Sequence, residues 1–185
     1  LYTMAIPMLY SAWEGYFRIS MSICLRRLCM RNRSARSYPK EYITLWLQRE
    51  SFLSTFYRVL LNSIDLNVNQ KPVNKARFNA LTDFQTSIKD WLNRPVNTST
   101  NFDKLVMTYA NVNGDVAQLN AGVIGLDVSS INFSPLNELL MRRNDISHGG
   151  LINLVDESDA NRIATYAENL LNQFGSATKT WLQAN

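Results

Sequence analysis

Apolar residues return at three- and four-residue steps in one segment after another, and this period most constrains what the chain can fold into. From Tyr2 to about Met30 the series is Met4, Met8, Ala12, Trp13, Tyr16, Phe17, Ile23 and Leu28, one buried stripe if the segment is a helix. Pro7 falls near its start, where a missing amide hydrogen costs little. Arg31 to Tyr38 is polar, and Pro39 opens a second helix expected from about Lys40 to Ile64. Its inward set is Ile43, Trp46, Leu47, Leu53, Phe56, Tyr57, Leu60, Leu61 and Ile64. Asp65 to Asn74 is rich in Asn and carries Pro72, which marks a loop. A third helix is expected from about Lys75 to Asn93, with Phe78, Leu81, Phe84, Ile88, Trp91 and Leu92 inward.

Pro95 and the polar run from Asn97 to Asn101 close that helix. Shorter helical pieces are expected over Phe102 to Ala110 and roughly Asp115 to Ile124, divided by Asn111-Val-Asn-Gly114. Val123 to Phe133 holds β-branched residues and reads as extended or irregular. Another helix opens at Asn132-Phe-Ser-Pro135, with Ser134 as cap and Pro135 in the first position, and stops at His148-Gly149-Gly150. Acids from Asp156 to Asp159 suit the start of a last helix, about Ser158 to Trp181, whose inward residues are Ile163, Tyr166, Leu170, Leu171, Phe174 and Trp181. Seven Gly and five Pro are too few for an all-β chain with many tight turns. The expectation is an all-α fold: a single up-and-down bundle over 1–185 with additional short helices.

The net charge of +4 is small but unevenly placed. Seven of the 19 basic residues (Arg18, Arg26, Arg27, Arg31, Arg33, Arg36 and Lys40) lie between Gly15 and Lys40, where no acid falls. The other 12 face 15 acidic residues, a balance of −3. A local positive segment suits contact with phosphates, and it equally suits cations placed near a helix C-terminus. Arg26, Arg27, Arg31, Arg33 and Arg36, with Arg142, are the candidate RNA contacts. No apolar run reaches the roughly 18 residues that a spanning helix needs, since Glu14 interrupts the apolar opening. Leu1 opens the chain in place of Met, which leaves room for a preceding segment. Cys24 and Cys29 lie five apart on one helix and point in different directions, so reduced thiols in a cytoplasmic protein are expected. One histidine is too few for a zinc site of the usual ligand count, and neither a metal nor a cofactor is expected.

That histidine, His148, carries the chemistry of the segment Leu140-Met-Arg-Arg-Asn-Asp-Ile-Ser-His-Gly149. RNA transesterification needs a group that titrates near neutrality to move the 2′-OH proton and a fixed cation for the charge on the phosphorane. Histidine and arginine supply both without a metal. Asn144, beside Arg143, can hold a phosphate oxygen or orient the imidazole. A plainer reading also stands, with His148, Arg142 and Arg143 as cations near a helix end. Five residues at about 100° each leave Arg143 and His148 roughly 140° apart around a straight helix. They converge only if the helix unwinds there or if a second copy supplies part of the site.

Arg143-Asn-Asp-Ile-Ser-His148 resembles the HEPN motif, an Arg and a His separated by four to six residues, with a polar residue after the Arg. The opening, Met8-Leu-Tyr-Ser-Ala-Trp-Glu14-Gly-Tyr-Phe17, is similar to the first helix of the MAE-type branch, which carries a Glu in an aromatic setting. Thr100-Asn-Phe-Asp103 and Gly114 resemble the segment before the motif helix in that branch. The resemblance implies a metal-independent endoribonuclease, usually a homodimer, in a toxin–antitoxin or antiphage setting, with RNA as substrate and an antitoxin or defence-complex partner. It implies His148 as general base or acid, Arg143 on the scissile phosphate and Asn144 assisting, with Glu14 and Asp145 as accessory candidates. It also admits a non-catalytic HEPN module that binds RNA or protein. Some HEPN toxins carry a Tyr two residues after the His that a partner modifies. Gly150 stands at that place here, so control by that route is not expected.

Overall fold

The computed structural model describes residues 2–62, 75–96, 101–149 and 155–185, apart from the side chains of 59–62. Among them it is all-α: α1 (Tyr2–Cys29), α2 (Lys40–Leu47), α3 (Ser51–Asn62), α4 (Lys75–Asn93), α5 (Gly114–Ile124), α6 (Ser134–Ser147) and α7 (Glu157–Ala184). Short 3-10 turns stand at Ala35–Ser37 and Phe102–Lys104. The chain forms two compact units, Leu1–Met30 with Ser99–Asn185, and Arg31–Thr98. No helix among the described residues is long and apolar enough to cross a membrane.

In the first unit α1 is the central element, touching α5, α6, α7 and the Phe102–Lys104 turn. Its buried side is Ile6, Tyr10, Trp13, Phe17, Met21, Cys24, Leu25 and Leu28. This corrects the expected stripe. Trp13, Phe17 and Leu28 are inside as expected, whereas Met4, Met8 and Ile23 are 62%, 70% and 48% exposed, and Ala12 and Tyr16 also face out. The helix is apolar around most of its circumference, so two stripes of the same period compete, and tertiary packing selects one. The winning stripe builds an aromatic cluster. The Trp13 ring lies 5.5 Å from Phe17 and 5.4 Å from Phe174 of α7, centroid to centroid, and 6.3 Å from Phe133. Phe17 and Phe174 are wholly buried, and each contributes about 1.5–3 kcal/mol by leaving water. The α7 residues Ile163, Leu170, Phe174 and Trp181 are buried as expected, while Tyr166 and Leu171 are half-buried.

The expected helix over Phe102 to Ala110 is instead a 3-10 turn followed by irregular chain. Tyr109 takes a positive φ of 46°, which helix geometry does not permit. Polar groups from the helices hold this segment in place. Asn120 of α5, 2% exposed, donates to the Met107 carbonyl at 2.7 Å and accepts from the Met107 N–H at 3.0 Å. Gly114 begins α5 because the helix presses on Phe133; a Cβ there would lie 2.7 Å from the Phe133 Cβ. Cys24 and Cys29 are buried and unpaired with each other. Burial pushes the Cys24 thiol up to about 12 and raises that of Cys29, so both stay protonated near neutral pH.

In the second unit the helix expected from Lys40 to Ile64 is two helices, broken at Gln48-Arg-Glu50. There the chain tightens into three-residue hydrogen bonds, Arg49 N–H to the Trp46 carbonyl and Glu50 N–H to that of Leu47, with no Gly or Pro to announce it. Tyr42, Leu45 and Trp46 are buried, Ile43, Leu47, Leu53 and Phe56 half-buried, and Tyr57 exposed. The side chains of Leu60 and Leu61, Ile64 itself and the loop Asp65 to Asn74 lie outside the described residues. Helix α4 has the expected bounds and packs on α3 through Phe84, stacked on Phe56 at 4.3 Å. Ile88, Trp91 and Leu92 are half-buried, but Phe78 and Leu81, expected inward, are exposed.

Candidate functional site

The motif helix α6 begins at Ser134 with Pro135 in its first turn, as expected, though the cap differs. Phe133 occupies the capping position without a side-chain bond, and the Asn132 Oδ1 accepts from the Ser134 N–H at 3.0 Å. Asparagine two residues back makes the Asx turn that serine was expected to replace. At the other end α6 stays regular. The His148 N–H donates to the Asn144 carbonyl at 2.9 Å, and Gly149, at φ 68°, stops the helix in the left-handed conformation. The helix therefore does not unwind between Arg143 and its cap at His148, and the separation of roughly 140° expected around a straight helix stands.

Arg143 is half-buried and turned toward α1. Its guanidinium Cζ lies 5.3 Å from the centroid of the Tyr10 ring, a cation–π distance. Its Nη1 donates to the Asn111 Oδ1 at 3.1 Å and to the Asn144 Oδ1 at 2.9 Å. Asn144 thus sits against the arginine, a contact its expected roles toward a phosphate or the imidazole do not include. His148 is exposed, and its ring makes no hydrogen bond to the described residues. Asp145 is exposed and Glu14 half-buried. Burial pushes the Tyr10 hydroxyl up and the Glu14 carboxylate adds to that, while a hydrogen bond from Val112 and the charge of Arg143 oppose it. Glu14 stands one turn along α1 from Tyr10.

Sequence alone does not single out Tyr10 or Asn111 as site residues. Asn111 is part of a dividing segment, and Tyr10 has no place in the expected apolar stripe. The signal for Tyr10 lies in the period: with Ile6, Trp13 and Phe17 it completes the one that packing selects.

Arg142, beside Arg143 in sequence, has a different environment. It pairs with Glu138 at 2.8 Å and with Asp159 of α7, and Arg162 pairs with the same two acids at 2.6 and 2.8 Å. Two cations and two anions make a neutral quartet between α6 and α7, which gives Arg142 a structural employment. Hydrogen bonds from Arg162, supplemented by Arg142, hold the Glu138 and Asp159 carboxyls below their ordinary range. A depressed carboxyl pKa stabilises the fold above the ordinary value of about 4, and that stabilisation is lost as pH falls through the folded-state value. Arg162→Ala should therefore melt a few degrees below the wild type at neutral pH. The gap should narrow as pH falls below the ordinary carboxyl range, as followed by circular dichroism.

Among the basic candidates, Arg26 and Arg27 are exposed in the last turn of α1, with the Arg26 guanidinium 5.6 Å from the centroid of the Phe102 ring. Arg31, Arg33 and Arg36 belong to the other unit, where Arg33 and Arg36 are exposed and Arg31 is half-buried. Among the described residues no three His, Cys, Asp or Glu side chains gather as metal ligands would.

No curated protein and no solved structure matches the chain. A protein-family match, RiboL-PSP-HEPN, spans residues 1–179. It supports the HEPN assignment and does not speak for the MAE-type branch that the opening helix resembles. Helical architecture and family coverage agree over both units: the chain belongs to the RiboL-PSP-HEPN family.

Proposed function

We propose that this protein is a metal-independent endoribonuclease whose site pairs Arg143 with His148 across two copies of the chain. The observation that carries the reading is the state of Arg143, a cation held in place by neutral groups on the same helix end as an exposed histidine. In the proposed reaction His148 takes the 2′-OH proton. The 2′-oxygen bonds to phosphorus, and the bond from phosphorus to the 5′-oxygen breaks as His148 passes the proton it has taken to that oxygen. The products are a 2′,3′-cyclic phosphate and a 5′-hydroxyl. Arg143 stabilises the charge on the phosphorane. Asn144 holds the arginine through its Oδ1, leaving its NH2 to reach a phosphate oxygen. Pairing in trans is supported by the unbroken helix between Arg143 and His148, which keeps the two about 140° apart within one chain. A symmetric homodimer brings two helix ends to one cleft.

The whole of 1–185 serves as one HEPN module in this reading, acting on RNA in the cytoplasm within a toxin–antitoxin or antiphage system, with an antitoxin or defence partner. A second reading, a non-catalytic module that binds RNA or protein, draws on the His148 ring, which has no orienting partner among the described residues. Purified protein incubated with total cellular RNA in EDTA decides between them. Cleavage with 2′,3′-cyclic phosphate ends is expected. RNA binding without turnover, unchanged in His148→Ala, favours the second.

A further inference from the structure

We infer that Asn111 and Tyr10 are positioning residues for Arg143, and that they hold it with neutral acceptors so that its charge stays available to a phosphate. The inference rests on the proposed role of Arg143. Two adjacent arginines on one helix make the contrast. Arg142 is matched by the carboxylates of Glu138 and Asp159, so its field is largely cancelled. Arg143 has no carboxylate within ion-pair distance among the described residues; it meets two amide oxygens and the face of a phenol ring. Amide oxygens fix direction without supplying a formal charge. Both bonds also use one nitrogen, Nη1. The edge formed by Nε and Nη2 carries no hydrogen bond to the described residues, and that edge is a fork that can take two phosphate oxygens side by side.

Asn111 can steer the guanidinium because its own backbone is anchored. The N–H of the next residue, Val112, donates to the Tyr10 hydroxyl at 2.8 Å, and the Val112 carbonyl accepts from the Trp13 Nε1 at 3.1 Å. Both bonds are buried. Tyr10 and Trp13 stand one turn apart on α1, so a single turn of that helix holds both polar groups of Val112. Tyr10 therefore acts twice, its hydroxyl fixing the Asn111 segment and its ring lying beside the cation. The place of Arg143 is thus set by α1 and the 107–113 segment as well as by its own helix.

The test compares Asn111→Ala, Asn111→Asp and Arg143→Ala, using cleavage of total cellular RNA in EDTA and binding of a fluorescein-labelled single-stranded RNA across a salt series. Asn111→Ala frees the arginine, and kcat should fall about 10- to 100-fold from misplacement, with KM nearly unchanged. Asn111→Asp keeps the arginine in place but pairs its charge, so cleavage should fall at least as far. It should also flatten the slope of log affinity against log salt by about 0.7, the loss of one phosphate contact to a single strand. A merely structural role for Asn111 would not move that slope. Wild-type cleavage and slope in Asn111→Asp, or losses in both variants that only track a smaller folded fraction by circular dichroism, would overturn the inference. If Arg143→Ala itself cleaves normally, the proposed function has failed, and the two failures are thereby told apart.

Discussion

Arg143→Ala is expected to cut RNA about 10²- to 10³-fold more slowly than the wild type, the usual effect of deleting one preorganised donor to a developing negative charge. Stability should change little, because the side chain is only half-buried and its three partners are neutral groups that water can serve instead. Arg143→Lys should recover only a small part of the loss. An ammonium supplies the charge but not the planar fork, and it cannot satisfy Asn111 and Asn144 while presenting two parallel donors to a phosphate. A rate assay beside a thermal melt checks this: a large fall in rate with an unchanged melting temperature is the expected pair of results.

The second large effect is expected at His148. Its replacement by alanine removes the group proposed to move protons, a loss of about 10²–10⁴ in rate for a general acid or base. The ring is exposed and makes no hydrogen bond to the described residues, so the fold has nothing to lose. RNA affinity should stay close to that of the wild type, in contrast to Arg143→Ala, which removes a phosphate contact. The two variants therefore separate turnover from binding: both are slow, and only the arginine variant also binds less tightly. Equal loss of binding in both would argue that the histidine contacts RNA without taking part in the chemistry.

Much of the architecture is legible before any coordinates. Pro135 and Gly149 mark the limits of α6 through local backbone chemistry, a fixed φ at one end and a left-handed turn at the other. The bounds of α4 follow from the same kind of punctuation. The inward face of α1 does not. Met4, Met8 and Ile23 have the same period and apolarity as Ile6, Tyr10 and Trp13, and what separates them is which neighbours arrive, a tertiary fact. The break between α2 and α3 is silent for a similar reason, since Gln48, Arg49 and Glu50 are all acceptable in a helix.

The candidate site divides along the same line. Arg143, Asn144 and His148 sit close together in sequence and can be found there. Asn111, 32 residues upstream of Arg143, cannot, because its relation to the motif is made by the Trp13 and Tyr10 bonds to Val112. Nor can the difference between Arg142 and Arg143 be read locally. Arg142 is paired by Glu138 of its own helix and Asp159 of α7, whereas Arg143 meets the amide oxygens of Asn111 and Asn144.

The pairing of Arg143 with His148 across two chains is tested most directly by mixing the two dead variants. Arg143→Ala keeps His148 and His148→Ala keeps Arg143, so a mixed dimer holds one complete site and one empty one. After co-refolding in equal amounts, random pairing should restore about a quarter of the wild-type rate, since half the dimers are mixed and each carries half the sites. A mixture as inactive as either parent, with both variants folded and dimeric by light scattering, would contradict the account.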